Sequence, residues 1–384
     1  MSSLLDELPP RLPEPIDLDR AAGHAPSAFC REHYAVLAER YSRNPHGLTC
    51  YAEENRRALK LAERAIFQAV GAREQDTALV WCANGTEALN LALRGFDFTA
   101  QPGALAWDRG GHKALTATAK ALGVPLRGFL LDDQGRIQFS PGEGDGVPAP
   151  ALAALSLVNN ETGVLWDGDR TMLPAGCRVL LDACQAFGKH PLPWERAHID
   201  MMVLSSRKVG GPATGAALLY RRDLKLRGLL TGGGQQEGLL SGTVDVVSCL
   251  LFAATAQQAC QKAEESLSHV SALNRQLREG LHRLGKDAWI LFSPENASPY
   301  ILYFAIPGHQ GALVARLLAA HHQILVGSGS ACNAESDETS PLLQARGVPD
   351  DLARAALRIS LAPETTTGEI TAFLEALEQV LEEY

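Results

Sequence analysis

Six short stretches of this 384-residue chain combine residue types that can do chemistry. Asn84-Gly85-Thr86-Glu87 opens a helical segment, and a Gly-Thr pair at a helix start supplies backbone N–H groups, a hydroxyl and the positive end of the helix dipole. Asp108-Arg109-Gly110-Gly111-His112 puts an imidazole in a loop, and Asn159-Asn160-Glu161-Thr162-Gly163 offers amides and a carboxylate. Asp182-Ala183-Cys184-Gln185 and Ser205-Ser206-Arg207-Lys208 add a carboxylate, an amide, a hydroxyl and two cations. The sixth, GSGSAC from Gly327 to Cys332, sets a thiol among small and polar residues, whereas a free cysteine is usually buried as a small hydrophobe. Singly, each stretch reads equally well as turn or helix-capping residues.

Taken together they match the needs of pyridoxal phosphate. That cofactor needs a lysine to hold it as a Schiff base and a carboxylate facing its pyridine nitrogen, so that the ring stays protonated and withdraws electrons. Its phosphate needs N–H and hydroxyl donors, and its ring needs a planar group stacked on it, a place that His112 suits.

The first five stretches each follow an apolar run, at 78–82, 104–107, 155–158, 178–181 and 201–204, with further runs at 128–131 and 216–220. Runs of four to eight apolar residues separated by helices or loops predict buried strands of a mainly parallel sheet. In such sheets ligands sit beyond the carboxyl ends of the strands, where these motifs fall. Residues 52–71 have helical apolar spacing and end at a glycine. The stretch 244–285 is helix-rich and reads as a link between two units. Strands near 300–305 and 357–361 and helices near 312–321 and 367–381 predict a smaller α+β domain. The division expected is a large domain over 16–250 and a small one over 251–384 joined by the Pro-rich arm 1–15.

The formal net charge of −9 disfavours a dedicated nucleic-acid binder, which needs a basic surface to displace counterions. No apolar run approaches the ~20 residues that span a bilayer. The first fifteen residues carry acids and prolines where a signal peptide has a basic and then an apolar region, so the chain is expected in the cytoplasm. Eight cysteines are spread singly with no CxxC pair, which supports neither a disulfide framework nor a zinc site; no metal is expected.

From about Ile16 (IDLDRAAG) to the C-terminus, the motifs NNETG, DACQ and GSGSAC and the spacing to Arg358 in ALRISL resemble those of the cysteine desulfurases, in the fold-type I, class V aminotransferase group. The resemblance implies a large domain with a seven-stranded, mostly parallel sheet. It implies that Lys208 is the Schiff-base lysine, Asp182 the partner of the pyridine nitrogen, and Gln185 a ligand of the ring oxygen. His112 would stack on the ring and handle protons. Gly85, Thr86, Ser205 and Arg207 would hold the phosphate, and Thr243 in Ser241-Gly242-Thr243 would reach the phosphate of a neighbouring subunit in a homodimer. Asn160 and Arg358 would hold the substrate carboxylate. Cys332 would take sulfur from L-cysteine as a persulfide and carry it on a flexible loop to a protein acceptor.

The chain departs from the family's pattern in three places. Arg207 stands where the family usually has histidine, Gln236 and Leu240 stand in GGGQQEGLLSGT where Glu and Arg are usual, and NPHGLT lacks the usual Ser-Ser-x-His. These leave as rivals a pyridoxal-phosphate β-lyase acting on selenocysteine, cystine or a related amino acid, an aminotransferase, and a non-catalytic scaffold.

Overall fold

The computed structural model describes residues 4, 8–10, 12–140, 146–285, 288–328 and 339–383. The elements run β1 (Ile16–Asp17), α1 (Ala28–Tyr41), α2 (Cys50–Val70), β2 (Thr77–Cys82), α3 (Gly85–Gly95), β3 (Ala104–Asp108), α4 (Lys113–Ala121), β4 (Leu126–Leu131), β5 (Ile137–Phe139), β6 (Pro150–Ser156), β7 (Arg178–Asp182), β8 (Met201–Ser205) and β9 (Ala216–Arg221). They continue α5 (Val246–Gln261), α6 (Ala263–Gly285), β10 (Ile290–Leu291), β11 (Ile301–Ala305), α7 (Gly311–His322), β12 (Ile324–Leu325), β13 (Gly327–Ser328), α8 (Pro341–Ala345), α9 (Asp350–Arg354), β14 (Ala356–Ser360) and α10 (Thr367–Glu383).

The large sheet has the order β2-β9-β8-β7-β6-β3-β4-β5. Strands β8, β7, β6, β3 and β4 pair in parallel, while β9 and β5 run against their neighbours. This is the mostly parallel sheet of the expectation with one strand more than the seven anticipated. The extra one, β5, is a three-residue edge strand in a stretch too short to carry a pattern. The run at 155–158 is also corrected: β6 spans Pro150–Ser156, and Val158 leaves the sheet to bridge Leu165. Its alanine-rich first half hid the strand.

The central strands are buried on both faces, as strands covered by helices on each side must be. Successive residues alternate between two cores: Met202 and Leu204 join one with Phe67, Phe187 and Phe252, and Met201 and Val203 join the other with Leu89, Leu91 and Leu115. Helices α2 and α5 supply the first layer, α3 and α4 the second. The stretch 244–285 forms two helices that break at Lys262.

A second sheet, β10-β11-β14-β13, is antiparallel throughout. Residues 16–19 lie beside it. Ile16 and Asp17 pair with Ile324 and Leu325, and Asp19 bridges Ser360. The seven described cysteines are free.

Candidate active site

The carboxyl ends of the parallel strands converge on a cavity of about 510 Å³. Ten of the twelve site residues expected from sequence line it: Gly85, Thr86, Ser205 and Arg207; His112, Asp182, Gln185 and Lys208; Asn160 and Arg358. The other two are Thr243, exposed and outside this lining, and Cys332, which lies outside the described residues. Ser328 and Thr339, which flank the undescribed stretch that contains Cys332, both line the cavity.

Gly85 starts α3 directly after β2. Asn84 caps the helix by accepting from Glu87 N at 2.9 Å, and the Glu87 carboxylate returns to Ala83 N at 2.6 Å. This reciprocal cap fixes the chain's entry and leaves the first helical N–H groups toward the cavity. A Cβ at Gly85 would stand 3.2 Å from the Cys184 sulfur and 3.9 Å from Ser205 Cβ, so glycine lets helix and strand ends close up. Arg207 lies across Gly23, where a Cβ would meet its Nε at 2.4 Å.

Asp182 ends β7 buried, and its Oδ1 accepts from Cys184 N at 3.0 Å. Gln185 donates to Ala21 O at 2.9 Å, while its Oε1 is buried with no partner among the described residues. Lys208 follows β8 in a tight helical turn and its Nζ donates to Ala21 O at 2.5 Å and Ala22 O at 2.8 Å. Burial pushes its amine down to about 8, with Arg358 and Arg207 adding repulsion against the opposing pull of Cys184 and Asp182. His112 caps α4 through Nδ1, which accepts from Ala114 N at 3.1 Å and so puts the neutral ring's proton on Nε2. Burial, the larger cause, also lowers its pKa, so the ring favours its neutral form.

Arg358 comes from the second sheet. Its Nη2 pairs with Asp19 at 2.7 Å and its Nη1 donates to Asn160 O at 2.9 Å. Its Nε and the Asn160 Oδ1 are buried and unpartnered among the described residues. A guanidinium fixed on two sides presents its remaining N–H groups in one orientation, a ready carboxylate clamp.

Sequence reasoning missed several neighbours. The Ala21 and Ala22 carbonyls carry no side-chain signal. Tyr303 reads as core in an apolar strand. Glu161 sits in NNETG, where the resemblance implies no role for it, yet it lines the cavity, accepts from Ser340, and has its carboxyl pKa pushed up by burial. Of the departures, Leu240 proves to be a core residue, and Gln236 accepts from Trp81 N at 2.7 Å and donates to Trp81 O at 3.0 Å, completing the edge of β2.

A family model described as aminotransferase class-V matches residues 21–373. A cysteine desulfurase of Gluconacetobacter diazotrophicus is 30% identical over 347 residues, 88% of this chain and 86% of the relative. A solved structure described as a NifS-like protein superposes with a TM-score of 0.85 at 24% identity, covering 96% of this chain and 100% of the other, a likeness of fold. One described as SspA in complex with cysteine gives a TM-score of 0.72 at 25% identity, over 91% and 100% of the two chains. With the model spanning nearly its whole length, the chain belongs to the aminotransferase class-V family.

Proposed function

We propose that this protein is a pyridoxal-phosphate-dependent cysteine desulfurase that converts L-cysteine to L-alanine and passes the sulfur to Cys332 as a persulfide, for delivery to a protein acceptor. The observation that carries the reading is the gathering of ten expected residues from five strand ends and a second sheet around one cavity. The cysteine desulfurases among its relatives give the substrate.

The residues fit the cofactor. The cavity volume is that of a small-molecule site, donors cluster at the start of α3, and the unpartnered Gln185 Oε1 awaits a hydrogen donor. Gly85, Thr86, Ser205 and Arg207 would hold the phosphate, Asp182 the pyridine nitrogen, Lys208 the aldehyde carbon and His112 the ring face. Pyridoxal phosphate, when bound, serves as the sink for the electrons released at the substrate's α-carbon.

The chain's own residues do the rest. Arg358 and Asn160 orient the substrate through its carboxylate. Lys208, with its lowered proton affinity, is available as a base at neutral pH, and His112 holds a proton on Nε2 for return to substrate. The Cys332 thiolate attacks the substrate sulfur; the S–S bond forms as the C–S bond breaks, and protonation of the carbon left behind yields alanine.

Thr243, exposed, is assigned to the contact with a second copy of the chain, as a homodimer. No described helix is long and apolar enough to cross a membrane, which with the seven free cysteines supports a cytoplasmic location.

The test is incubation with L-cysteine, scoring alanine and protein-bound persulfide against pyruvate and ammonia. Wild type should give alanine, and Cys332→Ala should retain the cofactor yet form neither alanine nor persulfide. Steady pyruvate from Cys332→Ala at the wild-type rate would instead identify a β-lyase.

A further inference from the structure

Tyr303 is a cavity-wall residue to which the desulfurase reading gives no role. It lies on β11 directly opposite Arg358 on β14 in an antiparallel pair. Residues so placed project from the same face of the sheet with Cβ atoms about 5 Å apart. Both line the cavity.

The ring of Tyr303 is fixed. Leu343, Ala353 and Ala356 pack around it, and the Phe292 ring lies 5.4 Å away at a 48° tilt. The hydroxyl is buried and has no hydrogen-bond partner among the described residues. Ser340 lies close enough to draw the phenol's pKa down, but its hydroxyl already donates to Glu161 and accepts from Leu343 N, and it does not meet the phenol in hydrogen-bond geometry. Burial, then the nearby Glu161, holds the phenol's proton in place, so the group is a donor at any pH the enzyme meets.

Two more polar atoms of this wall are in the same state, Arg358 Nε and Asn160 Oδ1. A buried polar atom left unpaired is destabilising and demands an explanation. Two donors and one acceptor at one wall of one cavity are explained together by a ligand that supplies two acceptors side by side and a donor next to them. An amino acid has that pattern, in its carboxylate and its amino group.

We propose that Tyr303 is a specificity-determining residue for the substrate carboxylate, its O–H and the Nε–H of Arg358 donating to the two carboxylate oxygens. The inference rests on the desulfurase reading and extends it by one named contact. It gives the enzyme a demand for an α-carboxylate beyond what the arginine alone imposes, because a ligand without one leaves two buried donors unpaired.

Tyr303→Phe removes one oxygen and preserves the ring packing. The KM for L-cysteine should rise about tenfold with kcat within twofold of wild type and cofactor content unchanged, the signature of a lost ground-state contact. Inhibition by L-alanine should weaken by the same factor. Inhibition by ethylamine, which is alanine without its carboxylate, should not change. The melting temperature should hold or rise, since an unpaired hydroxyl has gone. Unchanged KM and alanine affinity with a lowered melting temperature would make Tyr303 a structural residue and overturn the proposal. Absence of alanine production by wild type would instead refute the desulfurase reading. Calorimetric titration of wild type and Tyr303→Phe with L-alanine decides the Tyr303 contact without turnover, because equal or absent binding in both proteins refutes it.

Discussion

Gly23→Ala tests how the proposed phosphate end of the cavity is built. A Cβ at this position would stand 2.4 Å from Arg207 Nε and 3.0 Å from its Cδ and Cζ. Carbon and nitrogen need about 3.5 Å, so one partner must withdraw by about 1 Å. The backbone of Gly23 is tied down, since the next residue donates through His24 N to Arg207 O at 2.9 Å and Lys208 Nζ donates to Ala22 O at 2.8 Å. The Arg207 side chain is exposed and flexible, and it is what moves. At φ +156° the glycine is at the margin of the region that side chains avoid, so the steric term with Arg207 dominates over backbone strain.

A displacement of about 1 Å would break the charge-assisted hydrogen bond proposed between Arg207 and the phosphate, worth about 1.5–3 kcal/mol, or 10- to 150-fold in affinity. Solvent reaches this guanidinium, so the lower end applies: Gly23→Ala should weaken pyridoxal phosphate binding about tenfold. Fluorescence titration of the unloaded protein measures it, with pyridoxal as the control that lacks the phosphate. Pyridoxal affinity should stay constant. In a double-mutant cycle Gly23→Ala should cost nothing further once Arg207→Ala is present, the non-additivity of residues acting as one unit. Equal losses for the two ligands, or additive effects in the cycle, would refute the reasoning and make Gly23 a general packing residue.

Two further outcomes follow from the site's electrostatics. Asp182→Ala should cut kcat for alanine formation by on the order of a hundredfold or more, because the buried carboxylate that would stabilise the protonated ring nitrogen is gone; near wild-type turnover would mean another acid takes its place. Lys208, pushed down to about 8, reacts as an amine only when it has lost its proton, so the rate of pyridoxal phosphate capture by unloaded protein should rise with pH and level off above about 8; borohydride trapping at timed intervals, mapped to Lys208, reads the midpoint, and a midpoint near an ordinary lysine's would contradict its buried setting.

The parallel strands were legible because burial on both faces writes them as continuous apolar runs such as Met201–Leu204, and the motifs followed at their carboxyl ends. Elements of two or three residues were not: β5, β12 and β13 owe their existence to partners far along the chain, such as Ile324 for Ile16. The site divided the same way. Asp182 and Lys208 carry chemistry in their side chains and stood out. Ala21 and Ala22 act through backbone carbonyls, and Gly23 acts through the space it leaves, which matters only once Arg207 is seen to fill it. Tyr303 sits in a run that reads as core on both faces, and only its register opposite Arg358 turns one of those faces into a cavity wall.

The segment 19–24 draws these contacts together. Asp19 pairs with Arg358 across 339 residues of sequence, the Ala21 and Ala22 carbonyls hold Lys208, Gly23 makes room for Arg207, and His24 N fixes the backbone of Arg207. Six consecutive residues thus set the positions of three cations that would otherwise repel one another into solvent. Each cation is held by a different kind of group: a carboxylate, a pair of carbonyls and an absence of side chain. Their spacing is fixed by a tight turn, closed by Ala22 N donating to Asp19 O at 3.0 Å, which holds the proposed carboxylate clamp and the proposed phosphate end at opposite ends of one short rigid segment. Ala21 N in turn donates to Ser360 Oγ at 2.8 Å, which anchors the segment to the sheet that carries Arg358. A stretch near the N-terminus that acts through one carboxylate, two backbone carbonyls and a glycine therefore ties the sheet that carries Arg358 to the strand end that carries Lys208.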